Sequence, residues 1–313
     1  MLSVAMCTYN GAFFIEEQLL SILNQTMSVD EIVICDDGSI DQTLDIINSI
    51  QSKSSIDIRV YKNEKQLGVC ANFQKAVNLC KGNIIFLSDQ DDIWKREKVE
   101  TVVRYFLEKP QVKVVFTNGQ LINKEGHIVE NSSLFGCFGL TAKSLNAIDN
   151  GLGVELFAYE NRATGATMAI RSDFEYMSSF VNYCYKGILH DGALVMLSLN
   201  NCQLGHIDDC LIDYRIHSNQ KCGIGDNMNV SISDDPREIS YTAVLWDKIA
   251  IPDGLKKRIS FILFREKCQH QRYGLLSLIR AAHSYRLFYS KRWLYFLRYD
   301  INQWLRSVFH YIA

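Results

Sequence analysis

Four consecutive positions, Asp89-Gln90-Asp91-Asp92, hold three carboxylates. Like charges this close repel and raise one another's pKa. A divalent cation removes that penalty. Hard carboxylate oxygens suit Mg²⁺ or Mn²⁺, ions typically shared with substrate phosphates. The plain alternative is a solvated helix-capping loop, but the cluster directly follows a buried-strand pattern, which favours a site. A second acidic pair, Asp36-Asp37, stands where one carboxylate can accept hydrogen bonds from a base or ribose; Asp-Asp-Gly is also a common turn. A further carboxylate, Asp191 after His190, opens a helix, where an N-cap is its ordinary use.

These residues need a scaffold, and the chain spells one out. Leu2 to Cys7, Glu31 to Cys35, Ile56 to Tyr61, Asn83 to Leu87 and Val112 to Thr117 read as buried strands. Helical spacing separates them: Ile15 to Leu23, Asp41 to Ile50, Asn72 to Cys80 and Arg96 to Leu107. Strands alternating with helices predict an α/β fold with a mainly parallel central sheet flanked by helices. Ligands bind at the carboxyl ends of such strands. Thr8-Tyr9-Asn10, Asp36-Asp37 and Asp89 to Asp92 all fall there. After Asn118 the pattern becomes irregular, with a loop-rich Leu134 to Gly153. A loop then enters a strand at Ala163 to Ile170, a helix runs from His190 to about Asn200, and Ile207 to Arg215 is strand-like. Cys222 to Ser240 reads as a mobile loop, and the chain from Tyr241 on as helical.

The 313 residues are 48% hydrophobic, enough for one large domain with an extension. A net charge of −2 gives no global basic field for nucleic acid. Ten cysteines lie scattered, many in apolar runs, without a CxxC pair. Free thiols in a reducing cytoplasm fit that pattern better than a disulfide framework or a zinc site. Neither a signal peptide nor an apolar run of about 18 residues is read, so a cytoplasmic location is expected.

Thr8-Tyr9-Asn10-Gly11, Ser21-Ile22-Leu23-Asn24-Gln25-Thr26, Asp36-Asp37-Gly38-Ser39 with Asp41 and Thr43, and Ser88-Asp89-Gln90-Asp91-Asp92-Ile93-Trp94 together resemble family 2 glycosyltransferases of the GT-A fold. The likeness covers roughly residues 2 to 220. The tryptophan-ending acidic motif resembles the bacterial rhamnosyltransferase-like subgroup. The resemblance implies that Thr8 and Asp37 hold the nucleobase, with Tyr9 and Asn10 in the loop lining its pocket and Asn63 at the nucleoside. It implies Asp89, Asp91 and Asp92 at ribose and metal: Asp91 and Asp92 as ligands, Asp89 nearer the ribose. His217 would complete the metal shell, and Arg215 would pair with the diphosphate. Thr164-Gly165 would lie under the acceptor and donor sugar, with His190 touching the acceptor or orienting Asp191. Asp191 becomes the general base of a single inverting displacement.

The implied activity is transfer from a nucleotide-sugar donor to a glycan or polyprenyl-diphosphate-linked acceptor. The subgroup implies dTDP-rhamnose; a UDP-hexose donor (Gal, Glc or GlcNAc) is the alternative, and a non-catalytic nucleotide-binding scaffold the rival class. A dehydrogenase should show Gly-x-Gly-x-x-Gly after the first strand, where Thr-Tyr-Asn-Gly stands. The expected domains are 1–222, with a nucleotide half 1–118 and an acceptor half 119–222, and a helical extension 241–313. From Ile279 to Ala313 six Lys or Arg oppose Asp300 alone, a balance of +5, among ten aromatic residues. Such helices suit peripheral membrane contact, a homodimer interface or packing on the catalytic domain; no nucleic-acid module accompanies the charge.

Overall fold

Apolar, β-branched runs dictate the first strands. In the computed structural model, β1 (Leu2–Thr8), β2 (Glu31–Asp36), β3 (Asp57–Lys62) and β4 (Ile84–Ser88) lie parallel in the order β3-β2-β1-β4. The residues described are 1–151, 153–157, 161–184, 188–199, 202–218 and 220, and beyond them only Leu297 and Ile301. The chain divides into the units Met1–Pro236 and Arg237–Ala313. Apart from those two positions, the predicted loop 222–240 and extension 241–313, with its membrane or dimer role, lie outside the described residues. Among the described residues no helix is long and apolar enough to cross a membrane.

The crossovers are α1 (Ile15–Leu23), α2 (Thr43–Gln51) and α3 (Val69–Leu79). Ile15, Leu19 and Ile22 recur at helical spacing, and all three are fully buried. With Met6, Ile34, Phe86, Val102 and Phe106 they belong to one core. Each such side chain contributes about 1.5–3 kcal/mol of burial. Parallel register places Thr8 opposite Asp36 and Met6 opposite Ser88, so the loops after β1, β2 and β4 open on one edge of the sheet.

The second half departs from the expected parallel pattern. It comprises β5 (Ile93–Trp94), α4 (Lys98–Glu108), β6 (Val114–Ile122), β7 (Ile128–Ser133), α5 (Leu134–Cys137), α6 (Ala142–Asp149), α7 (Val154–Phe157), β8 (Ala169–Arg171), α8 (His190–Leu199) and β9 (Leu204–Arg215). The sheet continues β4-β8-β6-β9-β5, with β7 beside β6. Here only β6 and β9 pair in parallel; β4–β8, β6–β8, β6–β7 and β5–β9 are antiparallel. The predicted strand 112–117 runs on to Ile122 because Leu121 and Ile122 pair with Tyr214 and Arg215 of β9, a long-range partner that local pattern cannot reveal. That extension builds the β6–β7 hairpin, whose tip is Asn123 to His127. The loop-rich stretch after Leu134 holds three short helices, the second closed by a Thr141–Ser144 capping box.

Candidate active site

The loops at the sheet edge enclose a cavity of about 880 Å³. β1, β2 and the loops that follow them supply Thr8, Tyr9, Asn10 and Asp37 to its wall, with Asn72 and Phe73 from α3. The Thr8 hydroxyl donates to Asp36 Oδ2 at 2.9 Å, and Asp36 also accepts the Gly38 and Ser39 amides. Asp36 thus holds the turn and leaves Asp37 on the wall. The Asp37 carboxylate accepts from Asn63 Nδ2 (2.8 Å) and from the Leu67 and Gly68 amides (2.7 and 2.9 Å). Asn63 lies behind the wall, not on it: its amide hydrogens go to Asp37 and Asn72, and Lys75 donates to its oxygen. Its reach is therefore indirect, through Asp37 and Asn72.

The acidic loop crosses the cavity floor between β4 and β5. Asp89, Gln90 and Asp91 line the wall. Gln90 closes a two-way bridge with Tyr9, accepting its amide at 2.8 Å and donating to its carbonyl at 3.1 Å. Gly11 permits this, since a Cβ there would stand 2.2 Å from Gln90 Oε1. Asp92 is placed differently from the expected ligand. It is 1% exposed, one oxygen accepts the Arg215 amide at 3.0 Å, and Oδ2 has no partner among the described residues. Burial, then Asp91 and Asp89, hold its carboxyl well above the usual range. Burial and Asp91 push Asp89 up to about 7. Beneath the loop Lys98 is fully buried, 2.9 Å from the Ala166 carbonyl and 4.2 Å from the Trp94 ring centroid. Burial lowers it to about 7, against the pull of Asp92 and Asp89.

His217 and Asp91 both reach the wall, with Nε2 and Oδ2 3.0 Å apart. Among the described residues no three His, Cys, Asp or Glu side chains converge on one metal position. One carboxylate and one imidazole on an open wall nevertheless fit a cation completed by ligand phosphates and water. Among the described wall residues four carboxylates (Asp37, Asp89, Asp91, Asp191) stand against one lysine, Lys124. Such a balance repels a diphosphate.

Arg215 was expected at the diphosphate, but the structure turns it inward. It is 2% exposed and absent from the cavity wall. Its Nε donates to the Asp91 carbonyl (2.8 Å), Nη1 to the Lys124 and Asn123 carbonyls (2.9 and 3.4 Å), and Nη2 to Glu17 (2.6 Å). Phe14 covers it, with Cζ 4.9 Å from the ring centroid. The guanidinium is a strut joining α1, the acidic loop and the β6–β7 hairpin.

Asn161, Thr164, Gly165, His190 and Asp191 share the same wall. Asp191 sits in the first turn of α8 and accepts the Gly192 amide at 2.7 Å. His190 is 4% exposed and stacks on Phe73 at 4.1 Å. A Cβ on Gly165 would stand 2.4 Å from its Nε2, so that glycine makes room for the ring. Burial opposes protonation of His190, but Cys70, Asp191 and Asp89 together hold its pKa above the ordinary value.

Residues 3–158 match the model of the glycosyl transferase family 2. The chain belongs to that family. The chondroitin synthase of Pasteurella multocida is 30% identical over 131 residues, 42% of this chain and 13% of that protein. The UDP-Glc:alpha-D-GlcNAc-diphosphoundecaprenol beta-1,3-glucosyltransferase WfaP of Escherichia coli is 34% identical over 118 residues, 38% of this chain and 45% of that protein. The chain thus spans less than half the length of either relative. Among solved structures, S. aureus TarS 1-349 in complex with UDP-GlcNAc gives a TM-score of 0.55 at 18% identity, covering 98% of this chain and 79% of that chain. The shared architecture is the GT-A fold.

For this family 2 chain, sequence reading missed Gln90, Asn72, Lys124 and Tyr214 on the wall. Gln90 stands between its aspartates in the motif, but nothing local to it signals the tie to Tyr9. Tyr214 precedes Arg215 on β9, and its phenol is held well above the ordinary pKa by burial and by the carboxylates around it. It stays a neutral hydrogen-bond donor.

Proposed function

We propose that this protein is a metal-dependent, inverting glycosyltransferase that moves a sugar from a UDP-sugar to a hydroxyl of a cell-surface polysaccharide or lipid-linked precursor. The observation that supports the reading is that Asp91–His217 and Asp191 line the same cavity as Thr8, Tyr9 and Asp37, read here as its nucleotide end. Asp91 and His217 hold a Mg²⁺ or Mn²⁺ ion, which supplies positive charge against the donor diphosphate. Asp89 meets the ribose. Asp191 takes the proton of the acceptor hydroxyl as that oxygen forms a bond to the anomeric carbon. The bond to the diphosphate oxygen breaks on the opposite face, so configuration inverts. Thr164 and Gly165 shape the floor under the sugar, and His190, wedged between Gly165 and Phe73, fixes the start of α8.

A uridine nucleotide is favoured because WfaP is named for UDP-Glc and TarS was solved with UDP-GlcNAc. The acidic motif ending in Trp94 favours dTDP-rhamnose as the second reading. A thermal-shift screen of UDP, dTDP and their sugars with Mn²⁺ separates the two, since stabilisation follows ligand concentration over Kd. Stabilisation by dTDP alone would select rhamnose transfer. Stabilisation by neither nucleotide would remove the donor reading altogether.

A further inference from the structure

Arg215 leaves the cavity without its expected guanidinium, yet its bonds show what takes that place. Nη1 donates to the carbonyls of Lys124 and Asn123, clamping the tip of the β6–β7 hairpin from below. The tip is itself a rigid turn. Asn123 Oδ1 accepts the Glu125 and His127 amides at 3.1 and 2.9 Å, and Gly126 adopts φ +85°. Lys124 is thereby held outward, exposed, on the cavity wall. Its ammonium stands 5.1 Å from the centroid of Phe13, which also lines the cavity and is 75% exposed. Phe13 packs edge-on against Phe14, and Phe14 lies 4.8 Å from His217. Cation, exposed aromatic and the Asp91–His217 pair therefore follow one another along one side of the mouth.

We propose that Lys124, presented by Arg215 and backed by Phe13, is a phosphate-binding residue of this cavity. Lysine serves phosphate as a point charge with three rotatable donors. It is the single Lys or Arg among the described wall residues, facing four carboxylates. A diphosphate reaches this cavity from two sources, the nucleotide of the donor or the lipid-linked end of the acceptor. The proposal rests on the nucleotide-sugar reading, because that reading brings a diphosphate to the Asp91–His217 side.

Calorimetric titration of the full chain with Mn²⁺ tests it, using uridine, UDP and farnesyl diphosphate as probes on the parent, Lys124→Ala and Lys124→Arg. If the donor supplies the phosphate, Lys124→Ala weakens UDP by about two- to fivefold, the upper range of an exposed ion pair. Uridine affinity stays constant, and Lys124→Arg restores UDP. If the lipid end supplies it, UDP is unchanged and farnesyl diphosphate, titrated over saturating UDP, weakens by a similar factor. Unchanged affinity for both diphosphates overturns the proposal while leaving the donor reading intact. A parent protein that binds neither uridine nor UDP overturns both.

Discussion

His217 Nε2 lies 3.0 Å from Asp91 Oδ2, although 126 residues separate the two in sequence. The contact joins the loop after β4 to the chain leaving β9, and both side chains face the cavity. If the pair holds a cation, His217→Ala should lower Mn²⁺ affinity by at least about tenfold, since even outer-shell partners of metal ligands are worth about 10–100-fold. Titration calorimetry with Mn²⁺ and UDP measures it. Unaltered Mn²⁺ affinity would reduce the contact to an ion pair that merely closes the fold.

The raised Asp89 carboxyl makes the unliganded protein pH-sensitive. Its folded pKa of about 7 stands above an unfolded value near 4. Between about pH 4 and 7 the folded state keeps a proton the unfolded state has lost. The stabilisation is full at acid pH and is lost as pH rises through about 7. Asp92, also raised, acts in the same sense. Lys98, lowered to about 7, acts oppositely, adding stability as pH rises from about 7 towards 10. In chelator the melting temperature should fall from pH 5 to pH 7. Asp89→Asn should flatten that slope and stabilise the protein at pH 7 by roughly 2 kcal/mol. Added Mn²⁺ should raise the melting temperature more at pH 7 than at pH 5. Identical slopes for parent and Asp89→Asn would mean that Asp89 is not the group responsible.

Because Gln90 is tied to Tyr9 at both ends of its amide, a methyl group at position 11 has a cost. Alanine at Gly11 places its Cβ on the Gln90 amide, so either the amide moves or the β1 loop does. Gly11→Ala should destabilise by about 1–3 kcal/mol and lower UDP affinity. Adding Gln90→Ala removes the clash and should recover stability but not affinity, because Tyr9 has lost its anchor. Recovery of both by the double variant would show that the bridge does not shape the nucleotide end.

How much of this was legible beforehand differs from residue to residue. That Asp89 and Asp91 reach the cavity was legible because a buried strand running into carboxylates ends at the sheet edge, and α8 begins at His190 as its pattern indicated. The mixed second half was not, because Thr117 to Gln120 carry few apolar side chains and become strand only through parallel pairing with β9, at least 90 residues later. Asp92 differs from its neighbours only through the Arg215 amide, 123 residues away. Likewise Arg215 and Lys124 present the same charge in sequence. Which one faces the cavity depends on Glu17 and on the hairpin carbonyls, none of them near Arg215 in the chain.

That exchange of roles is testable through stability. Removing the Arg215 guanidinium takes the side-chain donor from the Asp91 and Lys124 carbonyls, while the Asn123 carbonyl keeps the Gly126 amide at 3.0 Å. Arg215→Met should cost about 2–4 kcal/mol in urea unfolding, while Lys124→Ala stays within about 0.5 kcal/mol of the parent. A result in which Arg215→Met unfolds at the parent's midpoint but loses UDP binding would put the guanidinium back at the diphosphate.

Asp191 has two possible uses, and one substitution separates them. From its place in the first turn of α8, Asn offers the same oxygen to the Gly192 amide, but it cannot take a proton from a hydroxyl. If Asp191 only starts α8, Asp191→Asn leaves turnover, melting temperature and UDP affinity where they were. If Asp191 is the base, melting temperature and UDP affinity hold while kcat falls by about 10²–10⁴-fold. Sugar transfer should be measured at saturating donor, so that the loss is read in kcat and not in donor KM. A turnover within a few-fold of the parent would take the base role away from Asp191. Its neighbour His190, buried against Gly165 and Phe73, would then be the next wall residue to test.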